Sequence, residues 1–150
     1  MTTTHTSSLF TQPVSHTTDF TALAESCEHF TDALIVCDDP VQKMALCGRL
    51  SACLALLQPT LNDPIPEPLK ESLTVEDIPA YFPAFEPEAA QLADYCQVLA
   101  HLLINGGLAI ETERTLTDLL YDLTAYFAGT LKAPRWLKTE NGVLSLETFH

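Results

Sequence analysis

Acidic side chains in the predicted helices are the residues of this sequence that could do chemistry. Glu111, Asp118 and Asp122 would share one face of a helix, because residues seven and four apart return to the same side of a 3.6-residue turn. Asp94 and His101 would lie on the preceding helix. Such groups could chelate a divalent cation only if the two helices turned them toward each other across a core.

The spacing of these residues does not fit a metal site. Carboxylate metal sites in helical bundles combine inward-facing carboxylates with Glu-x-x-His pairs. The first predicted helix holds Glu25-x-x-Glu28 on its polar side, and none of the predicted helices contains Glu-x-x-His. The apolar stripes of the helices are complete without the acidic residues, which we therefore interpret as solvated. We expect no metal and no cofactor.

The sequence also offers poor nucleophilic and phosphate-binding motifs. A cysteine nucleophile needs a histidine partner and an electropositive setting, whereas Cys27 and His29 cannot face each other on one helix. Asn105-Gly106-Gly107 precedes an acidic helix and lacks the lysine of a phosphate-binding loop. We expect a protein that is not an enzyme, and a small helical enzyme with an unrecognised acidic site is the alternative.

The charge balance favours a protein partner. The chain has 20 Asp and Glu against 7 Lys and Arg, for a formal net charge of -13. Such a surface repels phosphate backbones and anionic lipid, so we expect no direct nucleic-acid or membrane binding. It attracts a partner with a basic or mixed-charge surface. Acidity that only keeps a hydrophobic protein soluble is the simpler explanation of the same charge.

Composition predicts a folded protein of the cytoplasm. The 150 residues are enough for a core without disulfides, and the 47% of hydrophobic residues exclude a disordered chain. The five cysteines are an odd number without Cys-x-x-Cys spacing, which indicates a reducing compartment. We expect no transmembrane span and no signal peptide.

The chain matches itself once, at an offset of 69 residues. Leu23-Ala24-Glu25-Ser26-Cys27 returns as Leu92-Ala93-Asp94-Tyr95-Cys96, and Leu34-Ile35 returns as Leu103-Ile104. The matches fall mostly on apolar positions, as expected for a helix-turn-helix unit used twice. Amphipathic helices that share only a composition would give a similar pattern. The predicted repeats are residues 19–58 and 87–131.

The first repeat predicts two helices joined at Asp39-Pro40. Helix 1 would run from about Asp19 to Val36, and helix 2 from Pro40 to about Gln58. Helix 2 carries a second apolar stripe of Met44, Gly48, Ala52 and Ala55. A helix with two apolar faces is either central in a bundle or shared with another subunit, so we predict a homodimer through this stripe.

The segment from Pro59 to Pro87 holds seven of the ten prolines and predicts a connecting strap. Its aromatic residues Tyr81, Phe82 and Phe85 would either cover one end of the bundle or form a recognition patch, because clustered aromatics are typical interface anchors. We predict one short helical turn near residues 77–82.

The second repeat predicts helix 3 from Pro87 to Asn105 and helix 4 from about Ile110 to Leu131. The tail after Trp136 would be either an extended segment or a tight β-hairpin at Asn141-Gly142. The predicted fold is therefore all-α, a four-helix bundle-like domain of two similar helical hairpins. Residues 1–18 would be a mobile Ser/Thr-rich arm, and residues 19–150 a single acidic helical domain.

These patterns predict a core and a binding surface. We expect the equivalent residues of the two repeats to be buried: Cys27, Cys96, Leu34, Leu103, Leu50 and Leu119. We expect this chain to be a regulator, inhibitor, immunity protein or chaperone-like adaptor that binds a protein partner. The residues expected to contact the partner are Tyr81, Phe82, Phe85, Glu111, Asp118 and Asp122. The alternative is a nucleic-acid-mimicking inhibitor of a DNA- or RNA-binding protein.

Overall fold

The computed structural model describes residues 13–15 and 17–146, so most of the predicted N-terminal arm lies outside the described residues. The chain divides into two compact units, one ending at Ile78 and one starting at Pro79. Each unit is described by itself. The division falls inside the proline-rich strap, where prolines limit regular backbone hydrogen bonding.

The described residues form five α-helices and one two-stranded sheet, which confirms the prediction of a mostly helical protein. A four-helix bundle stays a prediction. The elements are α1 (Phe20–Val36), α2 (Pro40–Leu57), a 3-10 turn (Gln58–Thr60), α3 (Glu67–Ser72), α4 (Ala89–Asn105), α5 (Ile110–Lys132), β1 (Trp136–Thr139) and β2 (Gly142–Ser145).

Both helices of the first hairpin are capped by an aspartate. The Asp19 carboxylate accepts hydrogen bonds from the Thr21 hydroxyl and from the backbone N–H of Ala22, and these bonds lower the pKa of Asp19. The Asp39 carboxylate accepts from the backbone N–H of Gln42 at 2.9 Å, with Pro40 in the first turn. These caps satisfy N–H groups that have no partner within the helix.

The seam between α1 and α2 holds the core of the first unit. Phe30, Leu46 and Cys53 are buried together, and the Arg49 guanidinium lies 5.6 Å from the centre of the Phe30 ring. Partly buried residues pack around this cluster: Val14, Cys27, Ala33, Leu34, Cys37 and Leu50. Val14 thus connects the chain that precedes α1 to the core.

Helix α4 starts at Ala89, two residues later than the predicted start at Pro87. Glu88 caps α4 through a reciprocal pair of hydrogen bonds with Gln91 that satisfies two backbone N–H groups. Gly106 ends α4 with a φ of +67°, a conformation that favours glycine. Leu92 is buried.

Burial is shallower than predicted. Leu119 is exposed, so its predicted burial is wrong, and the other five residues of the predicted set are only partly buried. A hairpin explains this outcome, because each helix is covered by its hairpin partner on one side and residues at the edge of the seam keep part of their surface.

The short helix of the strap lies at Glu67–Ser72, and the helical turn predicted near residues 77–82 is wrong. Pro68 is in the first turn of α3, where its missing N–H costs nothing. Pro79 and Pro83 each push the residue before them away from helical backbone angles, so residues 77–82 do not form a turn of helix.

The C-terminal tail is a β-hairpin, which was one of the two predicted forms. Thr139 pairs with Gly142, so the two-residue loop is Glu140-Asn141 rather than Asn141-Gly142. Gly142 is the first residue of β2 and has a φ of +125°, which explains why glycine stands at this position.

Burial predicts different costs for two leucines of α2. Leu46 is completely buried, so Leu46→Ala should lower the free energy of unfolding by about 2–5 kcal/mol. Leu50 lies at the edge of the same seam, so Leu50→Ala should lower the free energy of unfolding by less than Leu46→Ala does. Urea denaturation of both variants checks this, and an equal or larger loss at Leu50 would show that the described core is wrong.

The cysteines of α2 should differ in reactivity. Burial raises the pKa of the Cys53 thiol, and Cys27 beside it acts in the same direction. Cys47 on the same helix is exposed. Mass spectrometry after brief alkylation of the native protein at neutral pH should find Cys47 modified well before Cys53, and equal rates would contradict the burial of Cys53.

Candidate partner-binding surface

The three aromatic residues of the strap lie in the second unit and face solvent. Tyr81 is 71% exposed, Phe82 65% and Phe85 58%. Exposed aromatic side chains this close in sequence are unusual, because burying each of them would stabilise the protein. Of the two predicted arrangements, an aromatic recognition patch fits this exposure.

Phe85 is held against α5 by Tyr126. The Tyr126 hydroxyl donates a hydrogen bond to the backbone carbonyl of Phe85 at 2.9 Å, and the two rings are tilted by 54° with centroids 5.7 Å apart. Tilted aromatic pairs at this distance attract each other beyond the area they bury. The two contacts fix the end of the strap to α5 at Phe85. Phe85 follows Phe82 by three residues and Tyr81 by four.

The predicted acidic residues lie on the same helix as Tyr126. Glu111, Asp118 and Asp122 are all exposed and follow one side of α5 over about 16 Å. Tyr126 comes one helical turn after Asp122, where side chains four residues apart are neighbours. Through Tyr126, Phe85 of the strap therefore adjoins the C-terminal end of the acidic face.

One end of the acidic face is partly neutralised. Arg114 lies 3.4 Å from the Glu111 carboxylate, one turn along α5, and both side chains are mostly exposed. Exposed ion pairs of this kind contribute little to stability. Within the described residues neither Asp118 nor Asp122 forms an ion pair, so the carboxylates nearest to the aromatic residues carry the negative charge of this surface.

Sequence patterns alone did not assign Tyr126 to the binding surface. A signal was present, because Tyr126 follows Asp122 by four residues and would continue the acidic face. Its partner Phe85 is 41 residues away in sequence, and that distance hides the contact from local patterns.

A cavity in the first unit was also missed. It has a volume of about 510 Å³ and lies between the start of α1, the 3-10 turn and the start of the strap. Its walls are mostly apolar, with threonines and two aspartates among them: Thr17, Thr18, Asp19, Phe20, Thr60, Leu61, Asp63, Pro64, Ile65, Pro66 and Leu69. Pro64 and Pro66 were the signal in the sequence, because prolines restrict the backbone of the strap segment that lines this cavity.

The described part of the chain contains no group of three or more His, Cys, Asp or Glu side chains that could hold a metal ion. In the same residues, no helix is both long and apolar enough to cross a membrane.

The geometry of the second unit suits binding, since it joins exposed aromatic rings to a row of carboxylates on one helix.

Comparison with known proteins gives no match to this chain, whether with protein-family models, with curated proteins or with solved structures.

Proposed function

We propose that this chain is a non-catalytic acidic protein that binds a protein partner of basic or mixed charge. The binding surface consists of Tyr81, Phe82, Phe85, Glu111, Asp118 and Asp122, and Tyr126 connects its two parts. The observation that carries this proposal is the pair of contacts between Tyr126 and Phe85, because they hold the exposed Phe85 against the helix that carries Asp118 and Asp122.

The two parts of the surface have different physical roles. Aromatic side chains supply affinity when a partner covers them, since they bury a large area and lose few rotamers. Carboxylates at the rim mainly attract and orient a basic partner before contact. A strap that is already fixed at Phe85 needs less ordering when it binds, and this raises the affinity available from the same area.

A protein partner fits this surface better than nucleic-acid mimicry. A mimic needs closely and regularly spaced negative charges, as in a phosphate backbone. Along α5 the three carboxylates are separated by about 10 Å and about 6 Å, and Glu111 is paired with Arg114. Aromatic rings at one end of the row also have no counterpart in a phosphate backbone.

Regulators, inhibitors, immunity proteins and chaperone-like adaptors all act by such binding, and the protein belongs to one of these classes. We place the protein in the cytoplasm, because all five cysteines are unpaired, as expected in a reducing compartment.

We also propose that the two hairpins are copies of one ancestral unit. The offset of 69 residues carries α1 onto α4 at both ends, and it carries the capping residue Asp19 onto Glu88. It also carries Leu23 onto Leu92, and both of these leucines are fully buried. Agreement of caps and helix ends is stronger support for duplication than a shared apolar pattern.

The aromatic part of the surface is tested by dissociation kinetics. With a partner isolated from the native host, using the full chain as bait, Phe82→Ala should speed dissociation about tenfold or more and leave the association rate almost unchanged. Trp136→Ala is the matched control, because Trp136 is an aromatic residue of the second unit that is as exposed as Phe82 and lies on β1 rather than on α5. Equal effects of the two variants on dissociation would contradict the proposed anchor.

The acidic part is tested by association kinetics. Asp118→Lys combined with Asp122→Lys should slow association several-fold at low salt, and the difference should shrink as salt screens the charges. Glu28→Lys combined with Asp32→Lys is the control, since this exposed pair on α1 has the same spacing and the same change in net charge. If the control slows association as much, only the net charge matters and the acidic face has no specific role.

A further inference from the structure

Helix α2 has a second apolar face that the first unit leaves uncovered. Leu46 and Cys53 point into the seam with α1, and the opposite side of the helix faces solvent. Val41 is 75% exposed and Met44 77% exposed on that side. The residues of this face, called the outer face of α2 below, are Val41, Met44, Gly48, Ala52 and Ala55.

The outer face carries no charge, although the chain as a whole has a net charge of -13. The only charged residues of α2 are Lys43 and Arg49, which lie on its flanks, and Arg49 stacks over Phe30. Two copies of so acidic a protein repel each other wherever carboxylates meet. The outer face lets two copies touch without bringing carboxylates together.

Neither the backbone conformation nor a close contact within the described chain requires glycine at position 48. Its φ is not positive, and a Cβ atom added to it would meet nothing within 4 Å. Glycine in the middle of a helix costs about 1 kcal/mol relative to alanine. Close packing of a second helix against α2 at this position would explain the glycine, since small residues permit the closest approach of two helices.

The sizes of the side chains point to a second copy of this chain. Gly48 is at the centre of α2, with the large residues of the outer face on its N-terminal side and alanines on its C-terminal side. If two α2 helices run antiparallel across a two-fold axis at Gly48, Val41 lies opposite Ala55 and Met44 opposite Ala52. Each large side chain then meets a small one, as interlocking surfaces require.

We propose that the protein is a homodimer in which the outer faces of two α2 helices pack antiparallel around Gly48. Ile35 and Val36 at the end of α1 are also exposed apolar residues of the first unit. Helix α2 is about 27 Å long, so an interface made of two such helices is small for a specific association. We therefore expect a weak dimer, with a dissociation constant in the micromolar range.

Sedimentation equilibrium of the full chain at about 100 µM tests the dimer. The wild type should have twice the 16.5 kDa of one chain, and Gly48→Leu should be a monomer. The added side chain has open space in one chain, so circular dichroism should show unchanged helix content. Gly129→Leu is the matched control, because Gly129 is an exposed helical glycine whose Cβ also meets nothing within 4 Å, and it should remain dimeric.

A wild type that stays monomeric at this concentration overturns the proposal, and so does a folded Gly48→Leu variant that is still a dimer. If Gly48→Leu does not fold, Ala52→Glu serves instead, since Ala52 is exposed and glutamate suits a helix. A dimeric, folded Ala52→Glu variant would overturn the proposal in the same way.

Disulfide cross-linking tests the antiparallel arrangement. In a Cys47→Ser background, Gly48→Cys should form a covalent dimer on mild oxidation, because the two cysteines meet at the axis. Ala55→Cys alone should not cross-link, whereas a mixture of Val41→Cys and Ala55→Cys chains should. Cross-linking of Ala55→Cys with itself as readily as Gly48→Cys would show that the axis lies elsewhere.

Discussion

A hairpin of two helices can bury only one stripe of each helix, and the surfaces of this protein follow from that limit. In the first unit the seam between α1 and α2 encloses Phe30, Leu46 and Cys53, and this uses the inner stripe of each helix. The chain nevertheless has apolar side chains well beyond these stripes, on α2 and along the strap. The apolar surface left outside the seams is therefore the surface available for binding.

The two remaining surfaces differ in chemistry, and so do their proposed partners. The surface around Phe85 and Tyr126 combines aromatic rings with carboxylates, which suits a basic or mixed-charge protein. The outer face of α2 is small and uncharged, which suits close packing against its own copy. A dimer would present the first surface twice, so that a partner with two sites would gain avidity without any new contact.

Local signals in the sequence predicted the parts of the fold that local physics decides. The caps at Asp19 and Asp39 and the end of α4 at Gly106 follow from single residues and their neighbours. The link between Tyr126 and Phe85 depends on tertiary packing across 41 residues, which no local pattern contains. The exposure of Leu119 was missed for a related reason, since an apolar position in a helix does not reveal how many neighbours will cover it.

Hydrogen exchange measured on the full chain, with and without its partner at saturation, tests the central claim that the strap and the acidic face of α5 bind together. The account predicts slower exchange in residues 79–86 and in residues 118–126 of the same complex, with little change in residues 28–36. Slower exchange in only one of the first two segments, or only in the first unit, would contradict it.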